Sequence, residues 1–258
     1  MKLAVVGAGV VGRAVAELAP ERGHEIVALA DSGGAVVADA GTPVDVDAAF
    51  ARKSETGIVG DAEPADALAA EYDVLVEATP TTLGDAEPGF SHVTTALERD
   101  RHAVLANKGP VAERFGDLRE AAERSDGEVR FEATVGGAMP VLSTIADHGP
   151  GHVDTVRGVL NGTANFVLSR MAAEGLDYEH VLAEAQELGV AEADPSFDVD
   201  GTDAGLKCVI LANVLSFGTA DDPADAREFT LADATSRGSG TSPAAPSTSP
   251  ARTDSPSG

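Results

Sequence analysis

The sequence predicts an α/β protein: a doubly wound parallel sheet, then a second α+β domain, then a disordered C-terminal tail. Three observations predict it. Short apolar runs and segments of helical period alternate along the first half of the chain, the pattern of strands joined by right-handed helical crossovers. The alternation breaks at the glycine-rich stretch GGAMP, residues 136–140, after which helical patterns dominate. From about Thr219 the composition turns to Ser, Pro, Thr, Gly and Ala, and such a segment buries too little apolar surface to offset its ordering entropy. The expected division is therefore 1–135, 136–218 and 219–258.

Each element has its own signal. KLAVV is a short buried strand, and the run from Val10 to Glu21 has helical period and stops near Gly23. HEIVALAD is a second strand, and residues 45–70 alternate short helical patches with Gly and Pro. YDVLVEATP, nearly all apolar, is a third strand, as expected of a parallel strand covered on both faces. SHVTTALERD reads as helix and RHAVLANK as a fourth strand ending in a polar loop. GPVAERFGDLREAAERSDG reads as one helix with proline in its first turn, and EVRFEATV as a fifth strand. In the second domain VLSTIAD is a short helix, and HVDTVRGVL alternates as a strand with one exposed face would. NGTANFVLSRMAAEG and YEHVLAEAQELG are helices, and another runs from about Asp203 to Phe217.

Charge narrows the function classes. Among 258 residues, 18 Lys and Arg face 43 Asp and Glu, a net charge of -25, so nothing offsets repulsion from nucleic-acid phosphates. The acid is spread along the chain and lysine is scarce, which points to a salt-rich cytoplasm where screening tolerates self-repulsion. The one cysteine, Cys208, lies in an apolar run and is expected to be a buried structural thiol in an intracellular setting. No signal peptide and no membrane-spanning stretch is expected. The change of composition near Thr219 is abrupt enough to read as a frameshifted or truncated end, with a linker as the alternative.

GAGVVG, Gly7 to Gly12, follows a strand and opens a helix, which makes it a Rossmann-type dinucleotide loop. Gly7 makes the tight turn, Gly9 lets a pyrophosphate approach, and Gly12 lets helix and strand pack closely. The helix start, Val10 and Val11, supplies amides and a favourable dipole. Asp31, ending the second strand, is placed for a ribose hydroxyl, or else caps a turn. Arg52 and Lys53 lie downstream where a 2′-phosphate would need them, so NAD and NADP both stay open. Thr79, in EATPTT at the carboxyl edge of the third strand, lines the cofactor cleft or caps the next helix. Lys108, in ANKGP at the same edge, sits beside the expected nicotinamide pocket. The carbonyls and Glu132 of EATVGGAMP form a cation site or a plain hinge. NGTANF places Asn161, Gly162 and Thr163 at a helix start, a cap and also a cradle for a substrate carboxylate. In AEADPSFDVDGTDAGLK, Asp203 and Lys207 are four apart and share a helix face, as a proton-handling pair or a surface ion pair. The six histidines form no metal-binding spacing.

Taken in order, GAGVVG, ANKGP, EATVGGAMP, GVLNGTANFVLSRM and AEADPSFDVDGTDAGLK make the chain resemble the homoserine dehydrogenases over residues 1–217. The resemblance implies reversible, NAD(P)H-dependent reduction of aspartate 4-semialdehyde to homoserine, on the route to threonine and methionine. It implies proton transfer at the carbonyl oxygen by Lys207, with Asp203 as its partner and Lys108 as a second active-site lysine. It assigns Glu192 and Asp198 to the substrate amino group, Gly162 and Thr163 to substrate contact, and Gly7, Gly9, Val10, Val11, Gly12, Asp31, Lys53, Thr79 and Lys108 to the cofactor. Glu132 with the carbonyls of Val135, Gly137 and Met139 corresponds to a structural Na+ or K+ site of some members. A homodimer is also implied. Two departures stand out: Val190 replaces an aromatic residue common in the family, and the low-complexity tail replaces the later segments. The alternative to an active enzyme is a non-catalytic, dinucleotide-binding remnant.

Overall fold

The computed structural model describes residues 1–39, 41–192, 194–220 and 225–235. Six strands form one sheet: β1 (Lys2–Val6), β2 (Glu25–Asp31), β3 (Gly34–Val37), β4 (Val74–Glu77), β5 (His102–Leu105) and β6 (Val129–Arg130), in the order β3-β2-β1-β4-β5-β6. All neighbours are parallel except β2 and β3. The central strands are apolar because both faces are covered; every residue of β4 is buried.

β3 has no counterpart in the sequence reading. It exists because Asp31 Oδ1 accepts from the amides of Gly33 (2.9 Å) and Gly34 (3.1 Å) and turns the chain back on β2. The Asp-Ser-Gly-Gly run is a recognisable hairpin signal, and the turn-capping alternative for Asp31 is the half of it that the sequence reading contains.

Among the described residues the first half carries the α-helices α1 (Val10–Leu18), α2 (Val46–Thr56), α3 (Pro64–Ala69), α4 (Gly89–Leu97), α5 (Gly109–Glu113) and α6 (Phe115–Glu123). The single helix expected over 109–127 is two, broken at Arg114, whose backbone is non-helical. The expected fifth strand shrinks to β6, because Glu132–Thr134 winds into a 3₁₀ turn.

Beyond residue 140 come α7 (Val141–His148), α8 (Gly162–Glu174), α9 (Tyr178–Glu187), α10 (Ser196–Val199), α11 (Thr202–Thr219) and α12 (Leu231–Thr235). Caps agree with sequence: Asn161 accepts from Ala164 N at the start of α8, and Gly175, at φ 69°, ends it. The strand expected over 152–160 is absent. Alternation alone does not make a strand; among the described residues no neighbour pairs with it, and Val159 is 66% exposed.

Leu206, Val209, Ile210 and Leu211 of α11 share one core with Phe90, Val93 and Leu97 of α4, Val111 of α5 and Leu118 of α6. This packing brings α11 against the sheet domain. α8 and α9 close a smaller cluster around Val167 and Val181.

Of the segment assigned to the tail, 221–224 and 236–258 lie outside the described residues. Residues 225–235 depart from that expectation. Asn213, fully buried, donates to Phe229 O (3.0 Å) and accepts from Phe229 N (2.7 Å), and Phe229 and Leu231 pack on the α11 core. These two side chains supply the apolar surface that the Ser- and Pro-rich stretch after them lacks. Cys208, expected buried, is exposed on α11.

Candidate active site

The β1–α1 turn has the shape of a phosphate cradle. Gly7 has φ +103°, and a Cβ there would collide with the Ala78 carbonyl. A Cβ on Gly12 would collide with the Gly7 carbonyl, whereas Gly9 faces open space with no atom within 4 Å. Val10 is 89% exposed and Val11 50%, unusual for valines and consistent with a ligand lying over the helix start. Thr79 N lies beside Gly7, at the crevice between β1 and β4 where the sheet order reverses.

Asp31 and Lys53 meet across the β2 edge, Nζ to Oδ2 at 2.5 Å, and Arg52 pairs with Asp61. The other Asp31 oxygen caps the β2–β3 turn. Asp31 thus holds a turn with one oxygen and pairs with a cation through the other.

The second cluster forms where the two halves meet. Asp203, in the first turn of α11, is 6% exposed. Its Oδ2 is 2.7 Å from Lys207 Nζ, one helical turn on, and its Oδ1 is 3.2 Å from Lys108 Nζ at the start of α5. Asn161 Nδ2 donates to Asp203 Oδ2 (2.9 Å) and to Asp198 Oδ1 (2.7 Å), and its Oδ1 accepts from Ala164 N (2.7 Å). Lys207 Nζ also donates to Leu160 O (2.6 Å). Burial would raise the Asp203 carboxyl, but hydrogen bonds from Lys207 and Asn161 and the charge of Lys108 outweigh it and hold the group below its usual range.

The structure therefore brings together Lys108, Asp203, Lys207 and Asp198, and leaves Gly162 in open space at the start of α8. Thr163 Oγ1 donates to Val190 O (3.0 Å). Glu192 is not drawn in. It is exposed and bonded through its backbone carbonyl, to Gln186 Nε2 (3.1 Å). Two acids already share Asn161, so a third gains nothing there without a cation between them. Asn161, a cap and cradle by sequence, also joins the two acids, Asp198 and Asp203.

Glu132 ends up at the start of α7, accepting from Leu142 N (2.8 Å) and Ser143 N (2.9 Å). Burial acts to raise its carboxyl, yet these amides hold it below its usual range. Met139 O accepts from Val141 N (2.9 Å). Among the described residues no three His, Cys, Asp or Glu side chains gather as a metal site, and no helix is long and apolar enough to cross a membrane.

Comparison with known proteins decides the family. The family model of the homoserine dehydrogenase NAD binding domain matches residues 7–132, and that of homoserine dehydrogenase matches 140–235. The homoserine dehydrogenase of Methanocaldococcus jannaschii is 36% identical over 231 residues, covering 83% of this chain and 68% of that one. The chain belongs to the homoserine dehydrogenase family. A putative homoserine dehydrogenase from Archaeoglobus fulgidus superposes with a TM-score of 0.73 at 39% identity, covering 85% of this chain and 70% of that one. A hyperthermophilic archaeal homoserine dehydrogenase in complex with NADPH superposes with a TM-score of 0.66 at 25% identity, covering 86% and 70%. The match spans only 35% of the longer homoserine dehydrogenase of Synechocystis, at 40% identity over 154 residues covering 59% of this chain. The homoserine dehydrogenase match runs to residue 235, which agrees with the packed segment 225–235.

Proposed function

We propose that this chain catalyses the reversible, NAD(P)-dependent reduction of L-aspartate 4-semialdehyde to L-homoserine, with Lys207 as the proton-transferring group. One observation carries the reading: lysines far apart in sequence, Lys108 and Lys207, converge on a single buried carboxylate, Asp203. The nicotinamide, when bound, supplies or accepts the hydride. The protein's part is electrostatic. An aldehyde carbon that gains hydride leaves negative charge on its oxygen, and an ammonium aimed there stabilises the charge and hands over a proton. Lys207 spends two of its three donors on Asp203 and Leu160 O, which fixes its direction and leaves one for that oxygen. Asp198 and, with substrate present, Glu192 hold the amino group, and the α8 start at Gly162 and Thr163 receives the carboxylate.

The Gly7–Gly12 cradle with Val10, Val11 and Thr79 fits a dinucleotide, and Lys53 beside Asp31 fits either cofactor: paired it leaves a ribose hydroxyl to Asp31, and turned outward it meets a 2′-phosphate. The relative solved with NADPH supports the second use. A structural Na+ or K+ at Glu132 and the carbonyls of Val135, Gly137 and Met139 belongs to the same reading. A place on the route to threonine and methionine, a salt-rich cytoplasm and a homodimer complete it.

Lys207→Ala tests the reading. Turnover of NADPH or NADH with aspartate 4-semialdehyde should fall by on the order of 100-fold or more, the usual loss for a general acid, while dinucleotide affinity is kept. Near-wild-type turnover would remove the assignment. A folded wild-type chain that binds dinucleotide but never turns over would favour the non-catalytic remnant.

A further inference from the structure

Glu77 is 0% exposed at the carboxyl end of β4, and the reaction above makes no use of it. Its Oε1 accepts from Thr79 N (3.0 Å), from the Thr79 hydroxyl and from Asn107 Nδ2 (3.4 Å). Its Oε2 lies 2.7 Å from Nδ1 of His92 on α4. Asn107 extends the network: Nδ2 donates to Thr79 Oγ1 (3.1 Å), and Oδ1 accepts from Gly109 N (2.9 Å). The backbone repeats the link, since Ala106 N donates to Glu77 O (2.9 Å) and Lys108 N to Thr81 Oγ1 (3.3 Å). Packing leaves little slack. A Cβ on Gly109 would collide with the Thr82 carbonyl, and one on Gly89 with the Asn107 side-chain amide. Among the described residues the charged or titratable group touching Glu77 is His92. Nearby, Lys108 turns its ammonium to Asp203, and Arg114 lies over the Phe90 ring and pairs with Asp117.

An apolar side chain would fill this position at less cost than a buried carboxylate. What the carboxylate adds is a set of directed acceptors that fix two loops relative to each other. One loop, Thr79–Thr82, walls the cofactor crevice; the other, Asn107–Gly109, carries Lys108. We infer that Glu77 is a positioning residue: through Asn107 and Thr79 it clamps these loops, and the clamp sets Lys108 against Asp203. The inference rests on the role given to Lys108 above.

The test uses the full chain labelled with nitrogen-15 at lysine; only Lys2, Lys53, Lys108 and Lys207 contribute signals. Glu77→Leu removes every acceptor and keeps the bulk. It should shift the Lys108 side-chain signal and leave that of Lys53, at the β2 edge, in place. It should also lower kcat by on the order of 100-fold, the cost of about 1 Å of misplacement. Glu77→Gln keeps an oxygen toward Thr79 and Asn107 and turns its amide to His92, so it should restore the Lys108 signal and most of kcat. An unshifted Lys108 signal in folded Glu77→Leu overturns the inference. Should that variant not fold, amide hydrogen exchange of the wild type decides. The clamp requires Thr79 and Gly109 amides to exchange as slowly as those of β4, and fast exchange at either overturns it. A wild-type chain without turnover counts against the proposed reaction, while the lysine signal and the exchange rates still decide on the clamp.

Discussion

Asn161 is the residue on which the candidate site turns. Its amide group joins Asp198 to Asp203 while its oxygen starts α8, so three contacts depend on one buried side chain. Asn161→Ala should cost about 2 kcal/mol or more in urea unfolding, a lost cap plus hydrogen bonds to charged acceptors. It should also raise the substrate KM more than the dinucleotide KM. Asp203 gives a prediction in pH. Its carboxyl is held below the usual range, so its stabilising contribution is present above the unfolded value of about 3.9 and is lost as pH falls through the lower folded value. Urea midpoints measured down this range should fall more steeply for wild type than for Asp203→Asn, and parallel curves would contradict the assignment. The place of Lys108 beside Asp203 and Lys207 came from the family resemblance, while the Asp203–Lys207 pairing was legible because it is local, an acid four residues before a lysine. The double use of Asn161 was not, because it depends on Asp198 and Asp203, 37 and 42 residues away, folding back onto it.

At the scale of elements, the sheet followed from apolar runs and glycine turns, and the misreadings have physical causes. β3 escapes the sequence reading because GAVV is four residues long and follows directly on the Asp31 turn, with no polar alternation to mark it. The strand expected at 152–160 failed because a strand is made by its partner, and none is present among the described residues. The helix expected over 109–127 broke at Arg114, whose guanidinium lies over Phe90. The β2 edge carries a prediction for cofactor choice. Lys53→Ala should raise the KM for NADPH by about tenfold, through loss of a charge-assisted phosphate contact, and leave that for NADH within about twofold. Equal effects on both cofactors would show that Lys53 serves Asp31 alone.

The whole molecule carries a net charge of -25, and on the salt-adapted reading its stability depends on ionic strength. Self-repulsion at low ionic strength opposes the compact state, and salt above about 1 M shortens the Debye length to about 3 Å. Thermal unfolding should therefore shift upward by about 10 °C or more between dilute buffer and molar KCl, several kcal/mol for a chain of this size. A midpoint no higher in KCl would sink the salt-adapted reading. The site depends on this compactness, because Lys108 and Asp203 stand on elements that the shared core of α4–α6 and α11 holds together. The measurement that tests the account most directly is oxidation of NADPH and NADH by aspartate 4-semialdehyde in molar KCl, with wild type and Lys207→Ala side by side. Wild type should turn over, and the variant should lose turnover by on the order of 100-fold or more with dinucleotide binding intact. Equal turnover in the two, or none in a folded wild type that binds dinucleotide, would contradict it.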